Sequence, residues 1–351
     1  MQNIVDYIAS SRDLSLEQLM KLMTTDDIDG VKYLFQKAHE TAQRVYGNKI
    51  FMRGLIEISN HCKNDCLYCG IRRSQQGVSR YRLTKEEILE CCQQGYALGF
   101  RTFVLQGGED GWFDDDRMCD IIAAIHQQYP DCAITLSLGE RSRESYQRLY
   151  DAGANRYLLR HETADAKHYA KLHPAEMSYA NRQRCLRDLK DIGYQVGCGF
   201  MVGSPFQTLD TLYQDLQLIR RLNPEMVGIG PFIPATGTPF ADRPAGTVDA
   251  TLRLLAIIRL LHPSVLLPAT TALGTLHPQG RELGILAGAN VVMPNLSPKS
   301  HRKEYNIYDN KLATGSEAAE SADEIRSSLR EMGAEAPADR GDYQAMSNSE
   351  L

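Results

Sequence analysis

"KIFMRGLIEISNHCKNDCLYC", residues 49–69, joins two textures. Up to Ser59 it is an apolar run with few charges, which reads as a buried strand. From Asn60 it turns polar and places Cys62, Cys66 and Cys69 within eight residues, with gaps of three and two. No fourth cysteine or histidine follows at a short spacing. The run is the first of eight, and the thiols fall in the loop directly behind it.

Outward from that loop, apolar runs alternate with helical patterns. The other runs are RTFVLQG (101–107), AITLSLG (133–139), RYLLRHE (156–162), QVGCGFMVG (195–203), MVGIGPFIP (226–234), SVLLPATTA (264–272) and NVVMPNL (290–296). Between them, Thr84 with Glu87 three residues later is a capping-box pattern. Asp114, Asp115 and Asp116 suit the first turn of a helix. The stretches 143–153 and 181–193 end in Gly, a common residue just past a helix. Such alternation argues for a parallel sheet with crossover helices. Eight repeats argue for a complete (β/α)8 TIM-type barrel, an α/β fold, over a doubly wound open sheet. Residues 1–48 read as N-terminal helices packing on the barrel, 49–298 as the barrel, and 299–351 as a short C-terminal extension. In the extension SADEIRSSLREMG (321–333) reads as a helix and the polar remainder as a partly disordered tail.

The 351 residues are 43% hydrophobic, enough for a large core, and carry a net charge of −5. With no basic stripe, that balance argues against nucleic acid. No run of eighteen apolar residues spans a membrane, and MQNIVDYIASSRDLSLEQ (1–18) lacks the apolar core of a signal peptide. Nine cysteines are an odd number, and Cys91 and Cys92 are adjacent in a helical pattern. They do not form a disulfide framework. The expectation is a reducing, cytoplasmic location, where a close cysteine cluster binds metal or catalyses.

Position and chemistry agree, because barrels of this kind build their sites in the loops after the strands. A structural zinc site wants four ligands, and the other six cysteines are isolated in helix or strand patterns. Three thiolates suit an iron–sulfur cluster, with one iron left for a non-protein ligand. The spacing C-x3-C-x2-C, with Tyr68 before the last cysteine, resembles the radical S-adenosylmethionine (SAM) superfamily. The resemblance implies one [4Fe–4S] cluster whose open iron is chelated by SAM, and reductive release of a 5′-deoxyadenosyl radical.

The ammonium, carboxylate, ribose and adenine of SAM each need a partner. QGGED (106–110) offers Gly107 and Gly108 for close backbone approach and Glu109 for the ammonium; alone it is an ordinary glycine turn. RHETAD (160–165) offers Glu162 for the ribose or the cationic end. Arg160, two residues earlier on the same face, suits a substrate carboxylate; the bland alternative is an Arg–Glu structural pair. Arg182, in YANRQRC (179–185), can hold the SAM carboxylate or sit on a solvated helix face. MVGIGPFIP, with Met226 and Ile229, suits a strand end lying flat against adenine, or is plain barrel strand. Thr270 and Thr271 fall at the mouth after the seventh run, where hydroxyls bind anionic groups. Tyr305 and Tyr308, three apart, are a weak signal. His161, His173 and His262 have no ligand spacing and read as polar or core histidines. Cys91, Cys92, Cys119 and Cys185 read as small buried hydrophobes.

At closer range IEISNHCKNDCLYCGIRRS (56–74), RYLLRHETAD (156–165), MVGIGPFIP, PATTALGT (268–275) and GANVVMPNLSP (288–298) resemble the HydE-type maturases of [FeFe]-hydrogenase, over roughly residues 20–312. Biotin synthase and methylornithine synthase are relatives that share the cysteine motif. The resemblance implies Cys62, Cys66 and Cys69 as cluster ligands, and Gly108, Glu109, Glu162 and Arg182 as SAM contacts. Thr135, Arg160, Thr270, Thr271 and Tyr305 would surround the substrate. The implied role is assembly of the di-iron subcluster of the hydrogenase H-cluster. The implied substrate is a sulfur-containing small molecule or iron complex. Ferredoxin or flavodoxin would donate electrons, and other hydrogenase maturases would be partners. Some members carry a second, C-terminal cysteine trio. Here Ala313, Ser321 and Glu324 stand at those positions, so no auxiliary cluster is expected. Two alternatives stay open: a related mutase or sulfur-chemistry enzyme of the methylornithine synthase or biotin synthase kind, and a non-enzymatic iron–sulfur carrier or scaffold.

Overall fold

The computed structural model describes residues 1–312 and 318–345. Three helices come first: α1 (Gln2–Ser11), α2 (Leu16–Thr24) and α3 (Ile28–Tyr46). Strands and helices then alternate through β1 (Phe51–Met52), β2 (Gly54–Ser59), α4 (Lys85–Ala97), β3 (Thr102–Gly107), α5 (Asp115–Gln128), β4 (Ala133–Ser137), α6 (Arg143–Asp151) and β5 (Arg156–Leu158). Next come α7 (Ala166–Leu172), α8 (Tyr179–Ile192), β6 (Gln195–Cys198), β7 (Met201–Val202), α9 (Leu209–Leu222), β8 (Met226–Val227) and β9 (Gly230–Pro231). The series closes with α10 (Val248–Leu261), α11 (Thr271–Leu276), α12 (Gly280–Leu286), β10 (Val291–Val292) and α13 (Ala322–Glu331).

Local chemistry sets the helix ends. Thr84 and Glu87 exchange both capping-box hydrogen bonds, at 3.2 and 2.8 Å. Asp114, Ser142, Ser178 and Thr208 each accept an N–H of their first turn. Gly193 ends α8 with φ +107°, which a residue with a side chain rarely adopts.

The sheet is parallel throughout, in the order β2-β3-β4-β5-β6-β8, with β7 paired to β9 and β1 to β10. Single parallel bridges join Met226 to Leu266, Pro268 to Val291 and Leu55 to Asn295. Strand runs are shorter in the structure than in the sequence, for physical reasons. Residues 195–203 break at Gly199, where an added Cβ would stand 2.0 Å from the Gly228 carbonyl oxygen. The run 264–272 is hydrogen-bonded on both sides, Val227 N to Leu266 O at 3.1 Å and Val291 N to Leu267 O at 3.0 Å. Yet Pro268 has no N–H to give, so no regular ladder forms there.

The inner core comes from strand residues such as Ile56, Ile58, Phe103, Leu105, Ile134 and Leu136, covered by the helices. α10 is apolar on nearly every face and is buried from Thr251 to Leu261, because α3 packs along its outer side. The extension passes α13 and then returns beneath the starts of the strands. There Ile50 N donates to Glu335 O at 2.8 Å, Thr102 Oγ1 to Arg340 O at 2.8 Å, and Arg156 Nη2 pairs with Asp342 at 2.7 Å. Among the described residues no helix is long and apolar enough to cross a membrane. Of the positions read against a second cysteine trio, Ala313 lies outside the described residues, as do 346–351 of the tail. Ser321 ends a short 3-10 turn and Glu324 lies in α13.

Candidate active site

The cysteine loop leaves β2 at Asn60, which pins it. Asn60 Nδ2 donates to the carbonyls of Ser79 at 2.7 Å and Glu304 at 2.8 Å, and Oδ1 accepts from Tyr81 N at 2.8 Å. Inside the loop Asp65 binds Arg72 Nε at 2.7 Å and Ser74 N at 3.0 Å. The Arg72 guanidinium holds the Asp65 carboxyl well below the usual carboxylate range. Cys62, Cys66 and Cys69 are half-buried free thiols.

Burial pushes all three thiols up, Cys69 to about 12. Thiols in such surroundings become thiolates when a metal cation compensates them, so the donor set suits a cationic iron cluster. Among the described residues no trio of His, Cys, Asp or Glu is placed to hold a single metal ion. Cluster thiolates each take their own iron and need not converge on one point.

The glycine turn lies directly against this loop. Gly108 N donates to Ser59 O at 3.1 Å, and Lys63 N donates to Glu109 O at 2.9 Å. A Cβ on Gly108 would stand 2.2 Å from the His61 carbonyl oxygen and 2.8 Å from Cys62 Cβ. Gly107 is bridged to Ser59. Glu109 accepts from Glu140 N at 3.0 Å and pairs with Lys63 at 3.2 Å.

A cavity of ≈ 260 Å³ opens beside the loop. Tyr68, Cys69, Arg160, Glu162, Ile229, Thr270 and Thr271 all reach its wall, as does Tyr308. Glu162 has φ +62° and is 7% exposed, and its Oε2 has no hydrogen-bond partner among the described residues. Arg160 Nε lies 3.7 Å from Glu162 Oε1, an ion pair, and among the described residues Arg160 Nε and Nη2 are likewise without a hydrogen-bond partner. The Thr270 hydroxyl is buried and unpartnered too. Buried polar atoms cost free energy unless something bonds them, and this cluster of them faces one chamber. Tyr68 donates its hydroxyl to His173 Nε2 at 3.2 Å, while His173 Nδ1 donates to Tyr169 O at 2.9 Å. Burial keeps that ring neutral, with its pKa lowered to about 3.

Other sequence candidates sit elsewhere. Thr135 is buried within β4 with an unpartnered hydroxyl, but is not part of this wall. Tyr305 is buried behind it, 3.4 Å from Gln106 Nε2. Met226 is at the start of β8, in a cluster with Tyr46, Phe51, Leu266 and Val291, and Arg53 Nη1 contacts its sulfur at 3.0 Å. It lies away from the chamber because its strand begins there and only later residues reach the mouth. Arg182 is on no solvated face: α8 buries it, and it bonds Glu140 Oε1 at 2.6 Å and Arg160 O at 2.5 Å. His161 is buried beside Asp215, at 3.3 Å. Cys91, Cys92 and Cys185 are buried, and Cys119 is half-buried.

The sequence reading missed Gln106, Glu57 and Lys311, which all line the chamber, and Glu140, which holds Arg182. The one available signal was Glu57 itself, a carboxylate inside the apolar run LIEIS.

Residues 56–219 match the family model of the radical SAM superfamily. Over 301 residues the chain is 43% identical to the [FeFe] hydrogenase maturase subunit HydE of Thermotoga maritima, covering 86% of each. It is 28% identical over 309 residues to the 3-methylornithine synthase of Methanosarcina barkeri, covering 88% of this chain and 87% of that one. The crystal structure of methylornithine synthase (PylB) superposes with a TM-score of 0.85 at 27% identity, over 95% of this chain and 97% of that one.

Proposed function

Because the chain belongs to the radical SAM superfamily, in the group of the maturase subunit HydE, we propose that it is the radical SAM enzyme that acts in assembly of the [FeFe]-hydrogenase di-iron subcluster. One observation carries the local mechanism: Cys69 opens onto the chamber that Arg160 and Glu162 also face. When bound, an iron–sulfur cluster and SAM supply an electron and a 5′-deoxyadenosyl radical. The chain's own residues bind, orient and exclude.

In this reading Cys62, Cys66 and Cys69 hold a single [4Fe–4S] cluster, and no auxiliary cluster forms. Gly107 and Gly108 let the backbone approach SAM, Glu109 receives its ammonium, and Glu162 its ribose. Arg182, braced by Glu140, takes the carboxylate. Tyr68 and Ile229 flank the cofactor; Met226, away from the chamber, makes no contact with it. Arg160, Thr270 and Thr271 meet the substrate, with Thr135 and Tyr305 outside them. The apolar wall keeps water from a reactive primary radical. A complete (β/α)8 barrel over residues 49–298 belongs to the same reading, supported by the bridges at Leu266 and Pro268 and by the β1–β10 pair. So do a cytoplasmic location, ferredoxin or flavodoxin as reductant, and other maturases as partners.

Cys66→Ser tests the mechanism. The variant should keep wild-type far-UV circular dichroism and make no 5′-deoxyadenosine with dithionite and SAM; undiminished product sinks the reading. Complementation of cells lacking their own maturase tests the role. Active SAM cleavage without restored hydrogenase would favour a mutase of the methylornithine synthase kind.

A further inference from the structure

Glu57 and Lys311 form an ion pair in the chamber wall. Lys311 Nζ stands 2.6 Å from Glu57 Oε1, with side chains 5% and 0% exposed. The carboxylate is satisfied, because Glu57 Oε2 also accepts from Asn295 Nδ2 at 2.9 Å. Among the described residues the ammonium is not. It has three donors, and among the described residues its one hydrogen bond goes to Glu57. The face of Tyr305 lies 5.4 Å away. In place of a buried ion pair, two well-packed apolar side chains are often as stabilising or more so, because desolvating both charges offsets their attraction. Stability alone therefore does not explain the pair.

Arg160 repeats the pattern from another wall, with Glu162 beside it and two nitrogens, Nε and Nη2, that make no hydrogen bond among the described residues. Glu57 is on β2 and Arg160 follows β5, three strands apart in the sheet. Two cations thus face one chamber from separate sides, each beside a carboxylate. Leu55, Leu158, Met201 and Met293 give the same chamber apolar wall.

We propose that Lys311 is a second recognition point for the substrate, binding an anionic or strongly accepting group at the end away from Arg160, with Glu57 as its positioning residue. The inference rests on the chamber being the substrate site. It deepens that reading by naming a class: a small molecule with an acceptor group at each end and an apolar body.

Calorimetric titration of the cluster-loaded protein with SAM present tests this, using succinate and butyrate as probes. They share a four-carbon chain and differ by one carboxylate. Wild type should prefer succinate by about tenfold or more, the worth of a charge-assisted hydrogen bond. Lys311→Met should bring the preference to about one, and Lys311→Arg should restore part of it. Glu57→Gln should lower the preference without abolishing it, because the ammonium keeps its charge and loses its brace. If Lys311→Met does not fold, the double variant Glu57→Gln/Lys311→Met leaves no buried charge unpaired and should show the same loss. An unchanged preference, an equal loss for both probes, or a wild type without preference overturns the proposal. Formation of 5′-deoxyadenosine in the same preparations reports separately on the SAM chemistry, so the two failures are distinguishable.

Discussion

Glu162 holds a backbone conformation that a residue with a long side chain rarely adopts. Its φ of +62° is of a kind that costs about 1–3 kcal/mol and persists where the surroundings over-determine it. Here Gly199 O takes its N–H at 3.0 Å and its carboxylate is turned beside Arg160. Asparagine tolerates the left-handed region better. Glu162→Asn should therefore leave the SAM-free protein as stable, or more stable by about 0.5–1 kcal/mol, while a side chain one methylene shorter weakens SAM binding about tenfold or more. Thermal melts and equilibrium dialysis read the two effects; a lower melting point with unchanged SAM affinity would assign Glu162 to structure alone. The cysteines, the glycine turn and RHE were legible in the sequence because each is a contiguous word. Glu57 and Lys311 were not, because their partnership spans 254 positions and is made only by folding.

At the scale of elements, the contact between the end of β3 and the cysteine loop is a tight constraint on the candidate site. Gly108 meets backbone there, which cannot swing aside as a long side chain does. Gly108→Ala should cost about 1–3 kcal/mol as overpacking and lower the iron bound per chain after reconstitution. Thr84→Ala, at the start of α4, should cost about 1 kcal/mol as a lost cap and leave iron content at the wild-type level. Urea titration with iron analysis separates them, and full iron in Gly108→Ala would contradict the argument. The alternation of strands and helices was readable because apolar runs and amphipathic stretches have different periods. Strand length was not, because Gly199 meeting Gly228 and the missing N–H of Pro268 interrupt ladders that the apolar runs extend through. Met226 fell outside the chamber while Ile229 reached it because Met226 stands at the start of its strand and Ile229 lies past its end.

The whole molecule is fastened at its base by the segment around Asp342. Arg156 is buried and pairs with that carboxylate, with Thr102 Oγ1, Gln195 Oε1 and Arg340 O as further acceptors. Burial alone would raise the Asp342 carboxyl, but Arg156 outweighs it and holds the pKa below its ordinary value. A carboxyl depressed in the folded state stabilises above its unfolded pKa of about 3.9, and that contribution is lost as pH falls through the folded value. Asp342→Asn should therefore narrow its stability deficit against wild type as pH drops below about 4, in denaturant melts taken from pH 7 to 3. A deficit constant across that range would remove Asp342 from the acid response. The same base has a consequence for synthesis. Phe51 lies in the first strand, and its neighbours Val291 and Gly341 come late in the chain. The roughly 290 residues between Phe51 and Gly341 take roughly 15–60 s to leave a ribosome. For that interval the nascent chain presents Cys62, Cys66 and Cys69 without the segment that covers Phe51, and a product nicked before Asp342 would keep all three thiols and lose the Arg156 pair.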